Sequence, residues 1–212
     1  MVNQRWVALD VGETLIDETR IWSVWADEFG IPRLTFMAAL GAVIARGGEH
    51  RDVFGIFEIE DWPMRQPAVE SIYGGFSAED LYPDALRTFT ALREQGYRVA
   101  VVANQPAIRT EELKRAGIEA DLIVMSEELG IAKPDPRFYQ RVVELTRSAP
   151  ADIAYVGDRV DNDVLPSVAA GIHAIWIRRG PWGVIGQLPP GIPVTIVASL
   201  DELVERIGSV WD

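Results

Sequence analysis

Residues 153–177 read IAYVGDRVDNDVLPSVAAGIHAIWI, and this stretch decides the fold. Two short apolar runs, Ile153–Gly157 and Ala174–Ile177, flank a helical pattern over Val164–Ala170. The runs are continuous rather than alternating, as expected of strands covered on both faces, so the unit reads as strand, crossover helix, parallel strand. Working outward, Trp6–Asp10, Tyr97–Ala103 and Asp121–Met125 are further apolar runs rich in β-branched residues, and Val194–Val197 suggests a sixth. Between them Pro83–Gln95 carries Leu86, Phe89 and Leu92 on one stripe and is followed by Gly96. Pro106–Ala116 ends at Gly117, and Pro136–Ser148 spaces Phe138, Val142 and Leu145 helically. Proline early and glycine just past the end mark helix boundaries. Strand alternating with helix from residue 80 onward predicts an α/β fold, a doubly wound Rossmann-like parallel sheet.

Residues 15–79 break that rhythm. Ile21, Trp22, Trp25 and Phe29 repeat at three and four, Thr35–Ala45 is a second apolar helix before Gly47-Gly48, and Phe54, Phe57 and Trp62 lead to Gly74-Gly75. The expectation is a small helical domain (15–79) inserted into a core domain formed by 1–14 and 80–212. Its aromatic stripes should pack inward. Arg20, Arg33, Arg46, Arg51 and Arg65 are mostly solvated charges, with Arg20, nearest the hinge, the first choice to steer an anion.

The chain has 212 residues, 20 Lys plus Arg against 32 Asp plus Glu, and a formal net charge of −12. That field repels phosphate backbones and anionic lipid, which excludes nucleic-acid or membrane binding as the main task. An anionic substrate would need a local cation to overcome it. With no cysteine, a disulfide framework, a thiolate zinc site and a cysteine nucleophile are excluded. The sequence carries no evident signal peptide and no apolar run approaching the ~18 residues of a transmembrane helix, so a cytoplasmic location is expected.

Ligands of open α/β sheets sit beyond the carboxyl ends of the strands. There the sequence places Asp10-Val11-Gly12-Glu13-Thr14, then Ala103-Asn104-Gln105, then Lys133-Pro134-Asp135-Pro136, then Gly157-Asp158 with Asp163 five residues on. Three carboxylates converging on one edge repel unless a cation is present, and an all-oxygen site of this kind fits Mg²⁺. Asp158 and Asp163 also suit the start of helix 164–170, where acids complement the dipole.

These segments, in this order, resemble the four motifs of the haloacid dehalogenase-like (HAD) hydrolases: WVALDVGETL an Asp-x-Asp-x-Thr motif, VAVVANQ the second, KPDP the third, VGDRVDNDVLPSVAAGI the fourth. The resemblance implies a Mg²⁺-dependent phosphatase of a small phosphorylated metabolite, monomeric or homodimeric. Asp10 would be the nucleophile, forming an aspartyl phosphate, and Lys133 the neutralising cation. Asp10, the Gly12 carbonyl, Asp158 and Asp163 would hold the metal, while Thr14, Ala103, Asn104 and Arg20 would face the substrate. The insertion resembles the family's cap domain, which closes over the site and selects the substrate. Two positions depart from the pattern. Gly12 stands where a second Asp protonates the departing oxygen and later activates water, and Ala103 replaces a hydroxyl residue. A turn requiring positive φ would explain the glycine. Glu13, one residue out of register, should point elsewhere. Two further readings stay open: a dehalogenase or phosphonatase, whose relatives also lack that second Asp, and a catalytically weakened binding protein.

Overall fold

The computed structural model describes residues 4–211. Strand β1 (Trp6–Leu9) leads into four helices, α1 (Thr19–Glu28), α2 (Arg33–Ala45), α3 (Val53–Ile56) and α4 (Trp62–Tyr73). Helix and strand then alternate through α5 (Ala85–Glu94), β2 (Arg98–Ala103), α6 (Arg109–Arg115), β3 (Leu122–Met125), α7 (Ser126–Leu129), α8 (Pro136–Thr146) and β4 (Ile153–Gly157). The chain finishes with α9 (Leu165–Ala169), β5 (His173–Ile177), α10 (Gly180–Ile185), β6 (Val194–Val197) and α11 (Leu200–Arg206). The strands pair in parallel in the order β3-β2-β1-β4-β5-β6. All six expected strands are present.

Period-two alternation sorts the strand residues onto two faces. Val7, Leu9, Val99, Val101, Ala154 and Val156 point into one core, closed by Phe89 and Leu92 of α5 and Leu200 and Leu203 of α11. Trp6, Ala8, Ala100, Val102, Ile153 and Tyr155 point into the other, closed by Phe138, Tyr139 and Val142 of α8. Burial on both faces is why these strands read as unbroken apolar runs.

Helices α1 to α4 enclose an apolar cluster of their own, including Trp25, Phe36, Leu40, Val43 and Phe54, against which Trp182 and Ile185 of α10 pack. The ends of the 15–79 stretch behave differently: Leu15, Ile16, Tyr73 and Phe76 are buried with the sheet. Among the described residues no single helix is long and apolar enough to cross a membrane. The strand order reverses between β1 and β4, and at such a switch point the loops diverge to opposite faces and leave a crevice. Asp10 follows β1 and Asp158 follows β4.

Candidate active site

The loop after β1 is wound tightly. The Val11 carbonyl accepts from the amides of Leu15 (2.8 Å) and Ile16 (3.0 Å), while the Asp10 amide donates to the Val156 carbonyl at 2.9 Å. Asp10 is thereby fixed at the mouth of the crevice. Lys133 reaches it from the loop between α7 and α8. Its ammonium lies 2.8 Å from Asp10 Oδ1 and 2.7 Å from Asp163 Oδ1. Asn104, just past β2, sets that loop: its amide donates to the Lys133 carbonyl at 2.8 Å and its oxygen accepts from the Lys133 amide at 2.7 Å. Asp163 sits in a single wide helical turn, Val160–Val164, where Oδ2 accepts from the Arg159 amide at 2.9 Å. A Cβ on Gly157 would lie 2.3 Å from the Asp163 carboxyl carbon, so only glycine lets this acid approach β4. The Trp176 indole donates to the Asp158 carbonyl at 2.8 Å.

Asp10, Asp158 and Asp163 each offer a carboxylate oxygen within 4.8 Å of the others. Against three acids stands one lysine, in a place where Asp158 is 2% and Asp163 1% exposed. Burial, then mutual repulsion, pushes Asp158 well above the usual carboxylate range. Burial also raises Asp163, although Lys133 opposes it. Burial alone would lower Lys133, but Asp10 and Asp163 outweigh it and hold the ammonium charged. Among the described residues Asp158 Oδ2 is buried without a hydrogen-bond partner. Excess negative charge, oxygen donors only, and one unpartnered oxygen together fit a hard divalent cation.

Above this centre a cavity of 440 Å³ is walled on the far side by Trp22, Trp25, His50, Arg51 and Trp62 of the helical segment. The stripe aromatics therefore do both jobs, packing together and facing the cavity. From the sheet side come Arg109 and Arg159. Arg109 is held at 2.7 Å by both Glu70 and Glu112, and Arg159 pairs with Glu49 and Asp161. Burial first, with Arg51 and Arg159 adding, pushes His50 down to about 4.

Several sequence expectations need correction. Arg20, expected to face the substrate, is engaged elsewhere. Its guanidinium donates to Asp80 Oδ1 (2.6 Å), Asp80 Oδ2 (2.5 Å), the Tyr73 carbonyl (2.5 Å) and the Gly75 carbonyl (2.6 Å), and it does not line the cavity. Thr14 and Ala103 are buried and do not line it either. Asn104 lines the cavity but uses both amide atoms on Lys133. Asp163 does not cap α9; it turns back onto the Arg159 amide. Gly12 has no positive φ, whereas Glu13 does, at 52°. Glu13 accepts from the Glu18 amide at 3.1 Å and from the Tyr82 hydroxyl at 2.5 Å.

Sequence reasoning missed Glu18. It precedes α1, lines the cavity, and accepts from the Trp22 indole at 3.3 Å. Burial, helped by the charge of Glu13, raises its carboxyl to about 7. The available signal was the pair of an empty Gly12 and an acid six residues on. Only the tight winding of residues 11–16 brings them together.

A family model described as haloacid dehalogenase-like hydrolase matches residues 4–171. A glyceraldehyde 3-phosphate phosphatase of Methanopyrus kandleri is 36% identical over 104 residues, 48% of this chain and 45% of its own. A phosphoserine phosphatase of Thermus thermophilus is 36% identical over 103 residues, 47% of this chain and 41% of its own. The match thus spans less than half the length of either relative. Among solved structures, a HAD phosphatase from Thermococcus onnurineus superposes with TM-score 0.65 at 20% identity, covering 97% of this chain and 98% of its own. A dehalogenase superposes with TM-score 0.71 at 23% identity, covering 96% of each chain. At these identities the superpositions speak for the fold.

Proposed function

Because the chain belongs to the haloacid dehalogenase-like hydrolases, we propose that it is a Mg²⁺-dependent phosphatase of a small phosphorylated metabolite, with Asp10 as nucleophile. The observation that carries this reading is Lys133 bridging Asp10 and Asp163 beside the unpartnered oxygen of Asp158. A carboxylate attacking a phosphate dianion meets charge repulsion, which a lysine on the nucleophile together with a divalent cation among the three acids would remove. Asp10, Asp158, Asp163 and the Gly12 carbonyl are the residues that would hold Mg²⁺. When bound, the ion supplies positive charge to the phosphoryl oxygens.

This chain's own part is to place and neutralise. Asp10 forms a bond to phosphorus as the ester oxygen leaves, and water then attacks phosphorus, the bond to Asp10 breaks and inorganic phosphate departs. Lys133 lowers the repulsion in both steps and keeps Asp10 aimed, since its backbone is clamped by Asn104. Helices α1 to α4 act as a cap whose aromatic and cationic wall selects the leaving group and excludes water. A dehalogenase would need no third acid, because a carbon–halogen bond brings no dianion to neutralise.

The test is phosphate release from three-carbon phosphates, including phosphoserine and glyceraldehyde 3-phosphate, and from p-nitrophenyl phosphate, with Mg²⁺ or EDTA, by wild type and Asp10→Asn. Release that depends on both Mg²⁺ and Asp10 is expected. Halide release from 2-haloacids in EDTA, without phosphate release, would overturn it.

A further inference from the structure

Hydrolysis of an alkyl phosphate moves two protons: the departing oxygen gains one and the attacking water loses one. Gly12 offers no group for either. A Cβ built on Gly12 would stand 2.5 Å from Glu18 Oε1 and 3.1 Å from its carboxyl carbon. The Glu18 carboxyl therefore fills the volume that a side chain two residues after the nucleophile would occupy. Gly12 lies outside the left-handed region, so its backbone does not demand glycine; what occupies the space is the far end of the Glu18 side chain.

We propose that Glu18 is the proton donor and acceptor of this site, delivered from the start of α1 into the space that Gly12 leaves open. The inference rests on the phosphatase reading above. As Asp10 bonds to phosphorus, the P–O bond to the alcohol breaks and the Glu18 carboxyl gives its proton to that oxygen. As water then bonds to phosphorus, its proton passes to the Glu18 carboxylate, the bond to Asp10 breaks, and the starting state returns. The Trp22 indole, one helical turn on, holds Oε2 and leaves Oε1 turned toward Gly12.

The other acids of the cavity wall are committed elsewhere. Glu13 spends one oxygen on the Glu18 amide and the other on Tyr82, and its carboxyl is within 2.6 Å of where a Gly180 Cβ would be. Glu70 is paired with Arg109 and Glu49 with Arg159.

The experiment compares purified wild type, Glu18→Gln, Glu18→Ala, Glu18→Ala/Gly12→Asp and Asp10→Asn on phosphoserine and on p-nitrophenyl phosphate with Mg²⁺, after thermal melts confirm folding. Losing a general acid costs most where the leaving group is most basic. Glu18→Gln should lose about 10²-fold or more in kcat/KM on phosphoserine, lose less on p-nitrophenyl phosphate, and accumulate phosphate on Asp10, because water is no longer activated. Adding Gly12→Asp to Glu18→Ala should recover activity on phosphoserine by at least 10-fold, on the order of part of a general-acid gain. Should Glu18→Gln not fold, that recovery alone decides. Phosphoserine turnover unchanged in a folded Glu18→Gln, or no recovery in a folded double variant, overturns the role of Glu18 while the Asp10 dependence stands. Phosphate release that survives Asp10→Asn at the wild-type rate overturns the Asp10 nucleophile on which the inference rests, and no phosphate release by wild type overturns the phosphatase reading.

Discussion

Replacing Asp158 by Asn should stabilise the protein in the absence of Mg²⁺ and lose that advantage in its presence. Without a divalent ion, Asp158 places a 2% exposed carboxyl beside two other acids, with Oδ2 lacking a partner. A buried unsatisfied acceptor costs about 1–3 kcal/mol, more when charged. The neutral isostere removes the charge. Unfolding a chain of this length shifts by roughly 2 °C per kcal/mol, so in EDTA Asp158→Asn should melt about 2–6 °C above wild type. The pH dependence follows from the raised folded-state carboxyl. The native state holds a proton that the unfolded state releases above about pH 4. Wild-type stability is therefore lost as pH rises from there through the folded value, and the gap should be wider at pH 8 than at pH 5. With Mg²⁺ at 100 times its dissociation constant, wild type gains about 2.7 kcal/mol by mass action, or roughly 6 °C. The variant, having lost a ligand, should gain much less, so the order of the two melting temperatures narrows or inverts. Differential scanning fluorimetry over a Mg²⁺ titration at both pH values reads all of this. Equal Mg²⁺ shifts in the two proteins, or a variant less stable in EDTA, would refute the reasoning.

Lys133→Met should abolish phosphate release, since the ammonium lies within 2.8 Å of both Asp10 and Asp163. It should also destabilise the EDTA form by about 3–5 kcal/mol in urea unfolding, the usual cost of stripping a buried charge of its partner. Arg20→Met should leave KM unchanged and lower stability by about 1–3 kcal/mol, because Arg20 satisfies Asp80 and two carbonyls rather than substrate; a raised KM with unchanged stability would restore it to the substrate site. His50 is held down to about 4, so the unfolded state binds its proton first as pH falls below about 6.5. Its contribution to stability is lost between those values, and His50→Asn should flatten the fall in melting temperature over that window.

The strands and most helices were legible because burial on both faces writes itself as unbroken apolar runs, and Val7, Val101 and Val156 need no tertiary information to be read. The acids and Lys133 were legible because strand ends in a doubly wound sheet share one edge. What depended on how loops wind was not. Gly12 suggested a backbone requirement, but its φ is not positive and the space beside it is taken by the Glu18 carboxyl, brought there by the winding of amides onto Val11. Arg20 suggested substrate because it sits near the hinge, yet its partners lie about sixty residues on. Leu15, Ile16, Tyr73 and Phe76 carry no mark in sequence that assigns them to the sheet rather than to the helices beside them.

The Arg20 guanidinium has a topological effect. It sits in the first turn of α1 and grips the carbonyl of Tyr73, the last residue of α4, with the Gly75 carbonyl and the Asp80 carboxylate just beyond it. In a protein without cysteine, it closes a loop of roughly sixty residues reversibly, as a disulfide would covalently, and loop-closure entropy makes such a tie most valuable when the loop is long. A helical segment that opens with this knot intact keeps its two ends at high effective concentration, and recloses onto the sheet as an intramolecular event.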